Sequence, residues 1–462
     1  MESPLDYLKS SAENDLFIGY DRHKFRQVAT QLYLELSQLL EQGTAPTIFL
    51  AHSDPIDFLA GFIAACAAGC PVFLCNPNWV KHEWQQVFEL VQPDLIWSDC
   101  PEVKKQQGNY PIQNLTSNIQ NRIMIPTGGS SGKIQFVMHT WDTLIASVQG
   151  FQRYFQLDKI NSFCVLPLYH VSGLMQFLRS FTTKGSLVNI PFKTIVSGEV
   201  PDLDPAEFFI SLVPTQLQHI LQNTTLVDWL SQFKTVLLGG APAWQELLEQ
   251  ARDYGIRLAP TYGMTETASQ IVTLKPKDFL KGYNNCGQVL PHAQVNIVDN
   301  NNQILAANKT GIVRVKAQSL ALGYYPELFI NREQFQLDDV GFFDEQGYLN
   351  IIGRNSNKII TGGENVYPNE VEAVIRATQL VDDVCVIGLC DRTWGEAVTA
   401  VYVPNSKVTT AQIKEAIAGK LSKFKQPKNW ICLEKLPRNL QGKINREKLH
   451  QIATEFLQQS PS

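Results

Sequence analysis

The stretch TIFLAHSDPIDFLAGFIAACAAGCPVFLC, residues 47–75, carries a complete strand–helix–strand unit in its punctuation. TIFLA is a short apolar run of the kind buried inside a sheet. Asp54 before Pro55 reads as an N-cap with proline at the first helical position, where the missing N–H is not needed. The apolar residues that follow predict a buried helix ending near Ala68, with Gly69 as the residue that closes it. VFLC, 72–75, reads as the second strand. The span 58–75 has 18 residues without a charge, close to the lower limit for a membrane-spanning helix. Gly69 and Pro71 interrupt it, so no membrane span is expected. No targeting or lipidation signal is visible either.

The same alternation extends outward. LIWSD, FCVLP, FFISLV and TVLLGG read as further buried strands, and residues 25–42, 141–154 and 244–254 are amphipathic and helical in pattern. Strands alternating with helices predict an α/β fold, a large domain of mainly parallel sheets covered by helices. From 287 to 325 the pattern changes to short strands and turns, which predicts a small β-barrel or antiparallel sheet. A boundary is expected in GYLNIIGRNSNKIITGGENVYP, at the polar cluster Asn355-Ser356-Asn357. This divides the chain into a large domain, 1–353, and a small mobile α+β domain, 354–462. Repeats and low-complexity tracts are absent from the sequence.

A chain of 462 residues exceeds what one hydrophobic core supports, so two domains suit its length as well. Hydrophobic residues at 44% and charged residues at 18% describe an ordinary globular protein, and a net charge of −5 gives no basic surface for nucleic acid. From Arg354 onward there are 15 Lys and Arg against 11 Asp and Glu, while the preceding part has 24 against 33. A basic small domain facing an acidic large one suits a polyphosphate held between them, although chance variation accounts for it equally well. Nine scattered cysteines without a secretory signal argue for the reducing cytoplasm, and Cys66, Cys70 and Cys75 read as small core thiols.

Three segments carry chemistry. In Pro126-Thr127-Gly128-Gly129-Ser130-Ser131-Gly132-Lys133, three glycines let the backbone wrap an anion while hydroxyls, amides and one lysine donate to it. Its spacing is not that of the P-loop, and alone it is more often a flexible loop. In Pro260-Thr261-Tyr262-Gly263-Met264-Thr265-Glu266-Thr267, the tyrosine suits a nucleobase and the carboxylate suits Mg²⁺, which prefers hard oxygen ligands. In Pro437-Arg438-Asn439-Leu440-Gln441-Gly442-Lys443-Ile444-Asn445-Arg446, a lysine after glycine in a polar turn can reach developing negative charge, though a basic surface loop has the same look.

With these three segments in this order and spacing, the chain resembles the acyl-adenylate-forming superfamily of acyl-CoA synthetases, luciferases and peptide-synthetase adenylation domains. LPLYHVSG, LLGGAPA, Asp338-Asp339-Val340-Gly341, IIGR, ITGGENVYPNEVE and DRTWGEAV extend the likeness over nearly the whole chain. The resemblance implies that Thr127, Gly128, Gly129, Ser130, Ser131, Gly132 and Lys133 grip the β- and γ-phosphates of ATP. It implies an adenine site at Gly240, Ala241, Tyr262 and Gly263, an α-phosphate contact at Thr265, and Mg²⁺ on Glu266. Asp339 and Arg354 would hold the ribose, and His170 would gate the entry of the carboxylate. Lys443 would bridge that carboxylate and the α-phosphate. Gly362, Gly363 and Glu364 would turn inward for thioester formation with coenzyme A.

Two departures stand out. The superfamily's Pro-Lys-Gly is replaced by Ile134-Gln135-Phe136, and the hinge after Arg354 carries Asn357 in place of an acidic residue. With both the Lys443 and GGEN elements present, a complete CoA ligase is expected. The early glycine-rich loop and SSGKIQFVMHTWDTL are similar to 2-succinylbenzoate–CoA ligases of menaquinone and phylloquinone synthesis, of the cyanobacterial or plastid type. That implies an aromatic diacid substrate, with Arg179 a candidate partner for the carboxylate that does not react. A ligase for another aryl or medium-chain acid, or a weakened binding protein of the same fold, are the alternatives. A homo-oligomer is compatible with the sequence.

Overall fold

In the computed structural model, the described residues are 2–10, 16–43, 45–100, 103, 120–128, 134–362, 364–391, 393–405, 408–438 and 443–459. The unit at 47–75 forms as its punctuation implies. Helix Pro55–Ala68 starts where the Asp54 carboxylate accepts from the N–H groups of Ile56 and Asp57, at 2.9 and 3.0 Å. It ends at Gly69, whose φ of +71° is the left-handed conformation glycine adopts without a Cβ penalty. Phe58 and Phe62 on this helix are fully buried, each worth roughly 1.5–3 kcal/mol relative to exposure. Gly61 lets the helix press on its sheet, because a Cβ there would meet Leu50 at 2.9 Å and Trp97 at 3.1 Å.

Strands Ile48–Ala51 and Val72–Leu74 pair in parallel, with Ile48 opposite Val72. They belong to a seven-stranded sheet ordered Glu327–Leu328, Gly323–Tyr324, Ile134–His139, Ile123–Gly128, Val72–Leu74, Ile48–Ala51, Leu95–Ser98. A second seven-stranded sheet runs Gln288–Val289, Ser269–Thr273, Leu258–Met264, Thr235–Leu238, Phe208–Leu212, Asn161–Cys164, Leu187–Asn189. Each sheet is parallel over its interior strands and antiparallel at one end. One core cluster takes residues from both sheets and from helices Trp141–Phe155 and Val171–Thr182, so the two sheets share a single packed interior.

Of the two expectations for the region beginning at 287, the antiparallel sheet is realised. Ala293–Val298, Gly311–Ala317, Phe335–Phe343 and Leu349–Arg354 hydrogen-bond in that order. The sheet does not end near 325: two further strands carry it to Arg354, bringing Asp339 opposite Arg354.

The remaining unit is built on strands Val381–Asp391 and Gly395–Pro404. Alternate residues of the first strand feed two cores. Val384 and Val386 pack with helices Pro368–Arg376 and Thr410–Ala416, whereas Cys385, Ile387 and Leu389 pack with helix Arg446–Gln459. This period of two is what a strand buried on both faces requires. Among the described residues, no helix is long and apolar enough to cross a membrane.

Candidate active site

Strand Ile123–Gly128 delivers Thr127 and Gly128, and pairs antiparallel with Ile134–His139 so that Gly128 lies opposite Ile134. Gly129, Ser130, Ser131, Gly132 and Lys133 lie outside the described residues. Ile134-Gln135-Phe136, which stands where the superfamily carries Pro-Lys-Gly, is the returning strand, and Phe136 is buried in the core.

The PTYGMTET segment begins in strand Leu258–Met264 and turns through a short 3₁₀ helix, Thr265–Thr267. The register slips between Tyr262 and Gly263. Gly263 is needed at that bulge, because a Cβ would stand 2.2 Å from the Ser269 carbonyl oxygen. Tyr262 donates to Asp339 Oδ2 at 2.6 Å, and Arg354 Nε approaches Asp339 Oδ1 at 3.3 Å. Burial, followed by the Asp339 charge, pushes the Tyr262 phenol above its usual range. Gly240 and Ala241 follow strand Thr235–Leu238 and are exposed, with Gly240 at φ +81°. Tyr262, Asp339 and Arg354 thus form one polar cluster, with a stacking ring beside a carboxylate that suits a nucleoside.

Glu266 is buried, and its Oε1 accepts from the Tyr324 phenol at 2.5 Å. The Lys443 charge also acts on this carboxylate. No group of three or more His, Cys, Asp or Glu side chains is gathered for a metal among the described residues. One carboxylate completed by substrate phosphates is a donor set that fits Mg²⁺.

Lys443 enters from the small unit. The base of its loop is a bridge between Arg438 and Ile444, and Arg438 is tied to Asp383 at 2.5 Å. Lys443 is solvent-exposed, yet enclosure by the surrounding protein and the Arg354 charge lower its amine, with Glu266 pulling the other way. The charges of Arg354, Glu266 and Lys443 therefore act on one another across the junction of the two units. His170, at the N-terminus of helix Val171–Thr182, hydrogen-bonds the Pro126 carbonyl. Burial, and then the Lys443 charge, push its imidazole down to about 4. Gly362 and Glu364 flank a hairpin turn of the small unit, where Gly362 N donates to the Trp394 carbonyl at 2.8 Å. Gly363 lies outside the described residues.

With this geometry, the chain matches known proteins over most of its length. The AMP-binding enzyme family matches residues 97–325, and the AMP-binding enzyme C-terminal domain matches residues 370–443. A 2–succinylbenzoate–CoA ligase from Enterococcus faecalis is 32% identical over 363 residues, covering 77% of this chain and 74% of that protein. The chain belongs to the 2-succinylbenzoate–CoA ligase family of AMP-binding enzymes. The Bacillus subtilis relative of the same name is 28% identical over 389 residues, 83% of this chain and 78% of that one. The structure of o-succinylbenzoate CoA synthetase from Bacillus subtilis, in complex with the acyl-adenylate intermediate OSB-AMP, superposes with a TM-score of 0.83 at 22% identity, covering 97% of this chain and 98% of that chain. That likeness concerns the fold.

Four features of this ligase were not legible in the sequence. Tyr324 reaches Glu266 across 58 residues of chain. His139, fully buried, bridges Thr143 Oγ1 at 3.0 Å and the Thr265 carbonyl at 2.8 Å, tying the phosphate-loop hairpin to the Thr265–Glu266 turn. Asp338 serves the turn after Arg354, accepting from Ser356 N at 3.0 Å, and its own carbonyl accepts from Asn355 N at 2.7 Å. The turn that contains Asn357 is thus fastened to a carboxylate of the preceding strand. Arg179, expected from the resemblance as a candidate substrate partner, is not on the surface. It is 3% exposed, stacks 4.2 Å over the Phe151 ring, and donates to Gln270 Oε1 at 2.8 Å and Ser269 Oγ at 3.2 Å. Burial lowers it to about 9.

Proposed function

We infer that the protein joins 2-succinylbenzoate to coenzyme A at the expense of ATP, in two steps at one cleft. In the first, a carboxylate oxygen attacks the α-phosphorus and diphosphate leaves. In the second, the coenzyme A sulfur attacks the acyl carbon and AMP leaves. Thr127, Gly128, Gly129, Ser130, Ser131, Gly132 and Lys133 contact the β- and γ-phosphates, with Thr265 at the α-phosphate. Gly240, Ala241, Tyr262 and Gly263 hold the adenine, and Asp339 and Arg354 hold the ribose. Glu266 holds Mg²⁺, which supplies charge neutralisation on the phosphates. Lys443 stabilises charge on the attacking carboxylate and the α-phosphate, and His170 controls entry of the acid.

The small domain, 354–462, rotates against 1–353 about the Asn355–Lys358 turn, bringing Gly362, Gly363 and Glu364 inward for thioester formation. The reaction takes place in the cytoplasm, where its nucleotide and thiol substrates are found. A homo-oligomer is compatible with this scheme but is not required by it, since every group named comes from one chain.

The observation that carries the diacid reading is Arg179. A buried guanidinium is costly unless paired, and the hydrogen bonds of Arg179 among the described residues go to the neutral side chains of Ser269 and Gln270. The ring carboxylate of 2-succinylbenzoate supplies the missing charge, while the succinyl carboxylate goes to the α-phosphate. A CoA-dependent AMP-release screen across carboxylic acids tests the reading. The diacid should exceed 4-oxo-4-phenylbutanoate, which lacks only the ring carboxylate, by at least ~100-fold in kcat/KM. Faster turnover of benzoates, coumarates or fatty acids would transfer the ligase to another acid.

A further inference from the structure

Behind the Thr265–Glu266 turn, buried polar side chains have more hydrogen-bonding capacity than the protein satisfies. Arg179 Nε, Gln270 Nε2 and both ring nitrogens of His292 are shielded from solvent without a partner among the described residues. A buried polar atom left unpaired forfeits its hydration without return, so several in one region point to a group that arrives from outside.

His292 follows strand Gln288–Val289 and is fastened by its backbone. Its carbonyl accepts from Gln318 N at 3.1 Å, and nearby Leu290 N donates to the Ile271 carbonyl at 2.8 Å, next to Gln270. The ring occupies the room left by Gly150, where a Cβ would stand 1.7 Å from Nδ1. The next residue on that helix, Phe151, carries the Arg179 guanidinium, and the Arg179 charge acts on the His292 ring. At 4% exposure the imidazole is held neutral, pushed down to about 4 by burial and then by Arg153 and Arg179, so it has one N–H to donate. A side chain kept only to fill the gap beside Gly150 would leave both nitrogens unpaired at a cost that leucine avoids.

We propose that His292 determines acid specificity: its imidazole N–H donates to one oxygen of the substrate's non-reacting carboxylate while Arg179 donates to the other. The proposal rests on the diacid reading above and adds a second donor from a different element. The site would select an acid with a second carboxylate beyond the reach of Lys443, and it would discriminate against neutral aryl acids.

The test compares kcat/KM for 2-succinylbenzoate and 4-oxo-4-phenylbutanoate in wild type, His292→Leu and His292→Gln. Both acids are measured on the same preparation, so any loss of folded protein cancels in the ratio. His292→Leu should lower the diacid-to-monoacid ratio by ~10-fold, mainly through KM for the diacid, with the monoacid unchanged. His292→Gln, which keeps an N–H donor, should recover a third or more of the wild-type ratio. Should the leucine variant give no soluble protein, the glutamine variant decides: a ratio reduced to that of Arg179→Ala overturns the proposal. Equal losses on both acids in His292→Leu would mark the residue as packing alone and overturn it as well. A wild-type ratio near one would instead remove the diacid reading, whereas a high wild-type ratio untouched by His292→Leu removes only the role of His292.

Discussion

Lys443 and Glu266 carry the chemistry in the proposed scheme, and each has a neighbour that the chain supplies from far away. The Lys443 amine feels Arg354 and Glu266, so it sits where phosphate and carboxylate charge would meet. Lys443→Ala should slow adenylate formation by ~10²- to 10³-fold, the scale expected for losing a donor to developing charge. Thioester formation from supplied acyl-adenylate should persist, because the proposed scheme carries out that step with the small domain rotated. Equal loss of both half-reactions in single-turnover assays would remove Lys443 from this role. Glu266 accepts from Tyr324 at 2.5 Å and is proposed to hold Mg²⁺. Glu266→Gln should raise the Mg²⁺ concentration for half-maximal ATP binding by calorimetry. Tyr324→Phe should raise it less, by several-fold, since one hydrogen bond to a charged group is worth about 1.5–3 kcal/mol at most. An unchanged Mg²⁺ requirement in both variants would place the metal elsewhere.

At the scale of the element, the sequence is most informative where the backbone punctuates itself. Helix Pro55–Ala68 was legible from Asp54, Pro55 and Gly69, because caps and left-handed residues act within a few positions. Asp54→Ala should cost about 1 kcal/mol, the usual range for an N-cap, and lower Tm by a few degrees in a thermal melt. Lys24 also pairs with Asp54 and Asp57, at 3.3 and 3.0 Å, but all three side chains are substantially exposed. Lys24→Ala should therefore cost less than Asp54→Ala. Equal effects would mean that the ion pairs, not the cap, hold the helix start. The four-stranded antiparallel sheet was only half legible. Its last two strands begin after an irregular stretch, and their pairing depends on partners many residues away.

Across the whole molecule, three histidines are held neutral by burial. His139, His170 and His292 are each lowered to about 4 from an ordinary value near 6.5. The unfolded chain therefore binds protons that the native protein refuses, and stability rises with pH over this interval. Acidification from 6.5 towards 4 should lower Tm progressively. His139→Gln should flatten that dependence, by removing a group that links the hairpin to the Glu266 turn. An identical pH profile in the variant would show that other groups carry the effect. The two units also meet through Arg376, which lies 5.4 Å from the Trp244 ring across their junction.

The sequence by itself determined the strand–helix alternation, the caps and the order of the three chemical segments. These are local in origin: a cap, a glycine or a short motif carries its meaning within a few residues. Only the tertiary structure decided that Tyr324 holds Glu266, that Asp338 supplies the hinge turn, and that Arg179 is buried against the neutral side chains of Ser269 and Gln270. It alone brought His292 to Gly150, more than a hundred positions earlier in the chain. No periodicity encodes such pairings, because they arise when separate elements are packed at interior density and every buried polar group must find a partner or wait for one.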